Sequence, residues 1–193
     1  QMVVYTDSVT GNSSIRVNFN ITDNTNTTIN NMTYADAFLN GVSNDWSSTT
    51  VACHTGQHAN GIVVNVNNVT TANDYSRSYL GGPINMFVGD GRTGYTYSLA
   101  DFMSTSAHEF GHAGFHVYDI YHYTDPNTGS TKRTDPNISV PFKSIMNYQF
   151  GLGGAQPVDY DIIFTNKTWT LNSWFYYSSD SNTLDKHIGA GNW

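Results

Sequence analysis

Residues 108–119 read HEFGHAGFHVYD, and their first five form H-E-x-x-H. On an α-helix, residues four apart lie on one face about one turn apart, so His108 and His112 can converge on one ion. Neutral imidazoles at that spacing suit zinc, and a site with three protein ligands keeps a position open for water. Glu109 follows the first histidine, where its carboxylate can reach that water. There it can take the proton as the oxygen attacks a carbonyl, then pass it to the leaving amine. Of the fifteen acidic residues, fourteen are Asp and one is Glu, and that one is Glu109. The longer carboxylate stands where a general base must reach the water without capturing the metal. A lone H-E-x-x-H arises by accident on many helices; the exclusive use of Glu here weighs against accident.

Outward from the motif, Ser98 and Asp101 form a capping box that opens a helix running through Ala113. Upstream, SIRVNFNI (14–21) alternates as a strand does. A polar run over 22–33 is read as a loop. In 34–47, Ala37, Phe38, Val42 and Trp46 fall near helical spacing and predict an amphipathic helix. GIVVNVNNV (61–69) reads as a buried strand, and 84–98 as strand residues around a Gly-rich turn, an edge hairpin. Downstream come a polar, Pro-bearing loop (123–141), SIMNY (144–148), GLGG (151–154), the short apolar VDYDIIF, and an aromatic tail. The order predicts an α+β (mixed α/β) chain.

H-E-x-x-H followed by SIMNY resembles the metzincin clan of zinc endopeptidases, in which a Met-containing turn lies beneath the metal. The resemblance implies one catalytic domain over 1–193. A twisted N-terminal sheet with the active-site helix would form its upper part (about 1–114), and an irregular C-terminal subdomain its lower part (about 115–193). Met146 matches the turn's Met. Tyr148 falls where some members place a tyrosine near the zinc, and by resemblance it can donate to the oxyanion of the reaction. As plain residues, Met146 is equally core filler and Tyr148 a packed aromatic in a Tyr-rich chain. The competing class that takes a Glu from a later helix as third ligand is nearly excluded, since no second Glu exists.

The continuation departs from the clan's H-E-x-x-H-x-x-G-x-x-H/D. Phe115 and Tyr118 stand where Gly and His or Asp are expected, with Gly114 one place early. Gly114 is expected to break the helix at positive φ. Asp119 is the preferred third ligand and His116 its rival, with Tyr118 and His122 behind them. A continuous helix would spread His108, His112 and His116 over about 12 Å, too far for one ion.

Eight Lys and Arg scattered in a chain of formal charge −7 exclude a nucleic-acid footprint and a polybasic membrane patch. No run of eighteen apolar residues marks a membrane span. Only 12% of residues are charged, a composition shared with secreted or cell-surface proteins. No export signal opens the chain, so secretion would need one removed or carried by a larger precursor. The single Cys53 allows no internal disulfide; beside His54 it is a candidate latency thiolate, though a buried Cys next to a surface His is the plainer account. His58 and His187 are isolated. The expectation is a monomeric, secreted or extracellular zinc endopeptidase acting on polypeptide, with the strand over 84–88 as the edge to which an extended substrate adds. The alternatives are an inert peptide-binding relative, or a polar adhesion domain with structural metal or none.

Overall fold

Alternation of apolar and polar residues builds the sheet against which the motif helix packs. The architecture is that of a computed structural model, which describes residues 2–10, 13–46, 50–57, 59–79, 81–115, 122–124, 131–133 and 145–146. In chain order the first elements are β1 (Met2–Thr6), β2 (Ser13–Asp23), β3 (Thr28–Ile29), β4 (Met32–Thr33) and α1 (Tyr34–Asp45). Then come β5 (Thr50–His54), β6 (Ile62–Asn67), β7 (Arg77–Ser78), β8 (Ile84–Phe87), β9 (Gly89–Asp90), β10 (Tyr95–Thr96) and α2 (Leu99–Phe115). The last are β11 (His122–Thr124) and β12 (Thr131–Arg133). The chain is α+β, as expected.

Two compact units make up the chain, Gln1–His116 and Val117–Trp193. The described part of the second unit comprises the antiparallel pair β11–β12, with His122 opposite Arg133, and a turn whose Ile145 and Met146 are buried.

In the first unit a six-stranded sheet runs in the order β1-β2-β6-β8-β7, with β5 also paired to β2. β5, β6 and β8 join parallel ladders, while β1 and β7 pair antiparallel. Val17 and Phe19 of β2, Val64 and Val66 of β6, and Ile84 and Met86 of β8 are all buried. These alternate residues point to one face, as period-two geometry requires. The other face is set with amides: Asn18 and Asn20 on β2, Asn65 and Asn67 on β6, and Asn85 on β8 are half-buried. Asn65 donates to Asn85 Oδ1 at 3.4 Å across the register pair, and Asn24 donates to Asn67 Oδ1 at 2.9 Å. The strand over 61–69 is therefore buried on one side only, with Val63 44% exposed. Asparagine supplies the polar face that a parallel strand with helices on both sides would not need.

The edge differs from expectation too. Ile84–Phe87 is an internal strand, paired with β6 along its length and with β7 at Ile84 and Asn85. Among the described residues the two-residue β7 is the edge on this side of the sheet, and the Phe87 N–H is taken by Ser76 Oγ at 3.1 Å. The hairpin is confined to β9 and β10, where Asp90 faces Tyr95. The turn between them needs Gly94 at φ +68.

Thr33 caps α1: its Oγ1 accepts from the Asp36 N–H at 3.1 Å and donates to Asp36 Oδ2 at 2.7 Å. The helix expected over 34–47 ends at Asp45, with Trp46 as its C-cap. α1 crosses α2 at Gly41. A Cβ there would overlap the Met103 carbonyl oxygen and come within 2.7 and 2.8 Å of Met103 Cα and C. Only hydrogen fits, and the two backbones approach directly. Elsewhere in a helix Gly→Ala stabilises by about 1 kcal/mol. Here Gly41→Ala should reverse the sign and destabilise by about 1–3 kcal/mol through overpacking against rigid backbone. Chemical denaturation of the pair checks it, and a more stable variant would show that the helices do not cross there.

Candidate metal centre

α2 is fixed at its start by a capping box and along its length by its apolar face. The Ser98 Oγ accepts from the Asp101 N–H at 3.2 Å and donates to Asp101 Oδ2 at 2.7 Å, as the sequence predicts. Tyr95 OH also donates to Asp101 Oδ2, bringing the small hairpin onto the helix start. Phe102, Ala107, Phe110, Ala113 and Phe115 are buried. Trp46 Nε1 donates to the Ala107 carbonyl oxygen at 2.9 Å inside this core.

The helix continues through Gly114 to Phe115. Gly114 is not among the residues of positive φ, so the helix break expected there does not occur. Its physical role is different: a Cβ at 114 would strike the Phe110 ring, one turn earlier, with Cζ at 2.6 Å. The missing side chain lets that ring lie flat against the helix, where it also packs on Phe115 at a centroid distance of 5.0 Å.

His108 and His112 emerge half-buried from the same helix, their rings perpendicular and 4.9 Å apart. The two Nε2 atoms face each other at 3.2 Å. Two nitrogens each about 2.0–2.1 Å from one tetrahedral ion stand about 3.3 Å apart. The separation of these two nitrogens therefore matches that of two ligands on one tetrahedral ion; in the bare protein one ring can donate its N–H to the other. Glu109 lies between them in sequence and is 7% exposed. Its Oε2 accepts from Ser78 Oγ at 2.7 Å, and that same hydroxyl lies 2.9 Å from the Glu109 carbonyl oxygen. Ser78 was missed in the sequence, since a two-residue strand has no period to announce it.

Among the described residues no group of three or more His, Cys, Asp or Glu is placed to hold a metal. Asp119, His116 and Tyr118, as well as Tyr148, Gly151–Gly154 and the isolated His58 and His187, lie outside the described residues. Met146 sits in a turn of the second unit and is fully buried. Cys53 and His54 are in β5, opposite Val17 and Asn18 of β2. Among the described residues no helix is long and apolar enough to cross a membrane.

No protein-family model and no curated protein matches the chain. Among solved structures it is similar to that of myroilysin, at 17% sequence identity and a TM-score of 0.42, covering 74% of this chain and 81% of that one. A likeness this loose assigns neither family nor activity.

The start of α2 carries a pH signature. Hydrogen bonds from Tyr95, then Ser98, hold the Asp101 carboxyl below its ordinary value of 3.8. A depressed carboxylate stabilises the fold above its unfolded pKa, and that contribution is lost as pH falls through the folded pKa. Asp7 and Asp74, lowered chiefly by backbone N–H groups, act in the same sense, whereas Asp45, raised by burial, acts in the opposite one. Melting temperatures between pH 6 and 3 should therefore fall more steeply for the wild type than for Asp101→Asn once below about pH 4. Parallel curves would show that Asp101 is held no differently in the folded and unfolded chains.

Proposed function

We propose that this chain is a zinc-dependent endopeptidase of metzincin-like design, secreted, and acting on polypeptide. The observation that carries the reading is the pair of imidazole nitrogens 3.2 Å apart on one helical face, with the only Glu of the chain buried beside them. His108 and His112 would hold the metal through Nε2, with Asp119 as third ligand and His116 as its rival. Bound zinc supplies Lewis acidity, which polarises a carbonyl and lowers the pKa of water.

The remaining steps belong to the protein's own groups. Glu109 takes a proton from the attacking water as its oxygen bonds to the peptide carbonyl carbon, and returns it to the leaving nitrogen as the C–N bond breaks. Burial of Glu109 keeps bulk water from competing for its carboxylate. Tyr148 is assigned a phenolic donor role toward the carbonyl oxygen as negative charge develops there. Met146 is assigned, by the sequence resemblance, to the Met-containing turn of the clan. An extended substrate pairs along β7, the edge strand, by main-chain hydrogen bonding.

Purified protein should hold about one zinc per chain and cleave unfolded polypeptide, with cleavage abolished by a chelator and restored by zinc. Glu109→Gln keeps size and hydrogen bonding but accepts no proton, so zinc content should persist while turnover falls by roughly 10²–10⁴. Zinc without cleavage of any peptide would leave an inert binding module instead, and no metal at all would leave the polar adhesion alternative.

The third ligand has its own test. Asp119→Ala should lower zinc affinity and activity together, whereas His116→Ala should leave zinc affinity near wild type. Zinc titration of the two variants decides, and full affinity in Asp119→Ala removes that assignment.

A further inference from the structure

Proton transfer through Glu109 needs its carboxylate held in one place, and the residue that holds it comes from the sheet. We propose that Ser78 is a positioning residue: its hydroxyl clamps Glu109 from the edge strand and leaves Oε1 as the oxygen that carries the proton. This rests on the general-base reading of Glu109.

A hydroxyl has one proton to give. At Ser78 it faces two acceptors of a single residue, Glu109 Oε2 at 2.7 Å and the Glu109 carbonyl oxygen at 2.9 Å. It bridges the far end of the side chain to its own backbone and folds the carboxylate back against α2. The bond to an ionised oxygen is the stronger kind. With Oε2 so engaged, Oε1 has no hydrogen-bond partner among the described residues and is the oxygen left to meet water. A glutamate swinging freely at this position could also reach forward and capture the metal itself; the clamp prevents that.

Ser78 can do this because it is itself fixed. It pairs antiparallel with Ile84, and Arg77 pairs with Asn85, while Ser76 Oγ accepts the Phe87 N–H at 3.1 Å. Alternation along β7 then turns Ser78 toward α2 and leaves Arg77 exposed. The clamp thus joins the last strand of the sheet to the middle of the motif helix. A peptide adding along β7 would be registered on the same strand that registers the base.

The single Glu makes the clamp directly observable, since ¹³C-glutamate labelling yields side-chain signals from one residue. Relaxation of the Glu109 Cγ should report a rigid side chain in the wild type, a mobile one in Ser78→Ala, and a rigid one again in Ser78→Thr, which keeps the hydroxyl. With zinc loaded, Ser78→Ala should lose roughly 10- to 100-fold in kcat, as fits a hydrogen bond to a charged group. KM and zinc stoichiometry should hold, and Ser78→Thr should recover most of the loss. A residue that merely stabilised the fold would move melting temperature without this split. A rigid Glu109 in Ser78→Ala, or unchanged kcat, overturns the clamp alone. A wild type that cleaves nothing overturns the general-base reading, and with it the catalytic purpose of Ser78.

Discussion

Phe110 sets the rotation of α2 about its own axis. Its ring is fully buried, within 5.7 Å of Phe19 on β2 and 6.2 Å of Trp46, measured between centroids, and it lies across the missing side chain of Gly114. At about 100° per residue, a helix with position 110 pointing inward must carry positions 108 and 112 on its far side. The two histidines lie half-buried on the side of α2 away from the core because the phenylalanine between them faces inward. Glu109 falls on the flank, where β7 can reach it. One aromatic anchor thus orients all three side chains of the motif, two imidazoles and a carboxylate.

Two further constraints keep that anchor in register. Gly41 allows α1 to approach the Met103 backbone with no side chain between them, and Trp46 at the end of α1 donates into α2 at Ala107. The pair Trp46–Phe115, 4.7 Å between centroids, closes the same cluster at the end of the motif helix. Sliding α2 by one residue would move Met103 off Gly41, break the indole bond and push a histidine toward the core. Such a slip conflicts with packing and hydrogen bonding at once, which is how a unique arrangement is specified.

Most of this was legible where a period or a cap spells out local structure. The alternation in β2, the apolar spacing of α1 and the reciprocal Ser98–Asp101 bonds are all short-range patterns, and each formed. Gly114 was read by its conformational freedom, but the structure uses its small size; sequence alone does not distinguish a glycine that turns from one that makes room for a ring. The edge was misplaced because β7 has two residues, too few to show alternation, while the apolar Ile84–Phe87 has the look of a strand in any position. Ser78 was invisible for a deeper reason: its tie to Glu109 spans thirty-one residues and depends on tertiary register. Sequence shows which residues have chemistry, and packing decides which of them meet.

In the proposed function His108 and His112 supply two nitrogen ligands to zinc. X-ray absorption at the zinc edge of the metal-loaded protein tests this central claim most directly. Two imidazole nitrogens at about 2.0–2.1 Å, completed by nitrogen or oxygen and without sulfur, are expected. Scattering from sulfur at about 2.3 Å would place the metal on Cys53 instead, and a shell lacking the imidazole signature would contradict the claim outright.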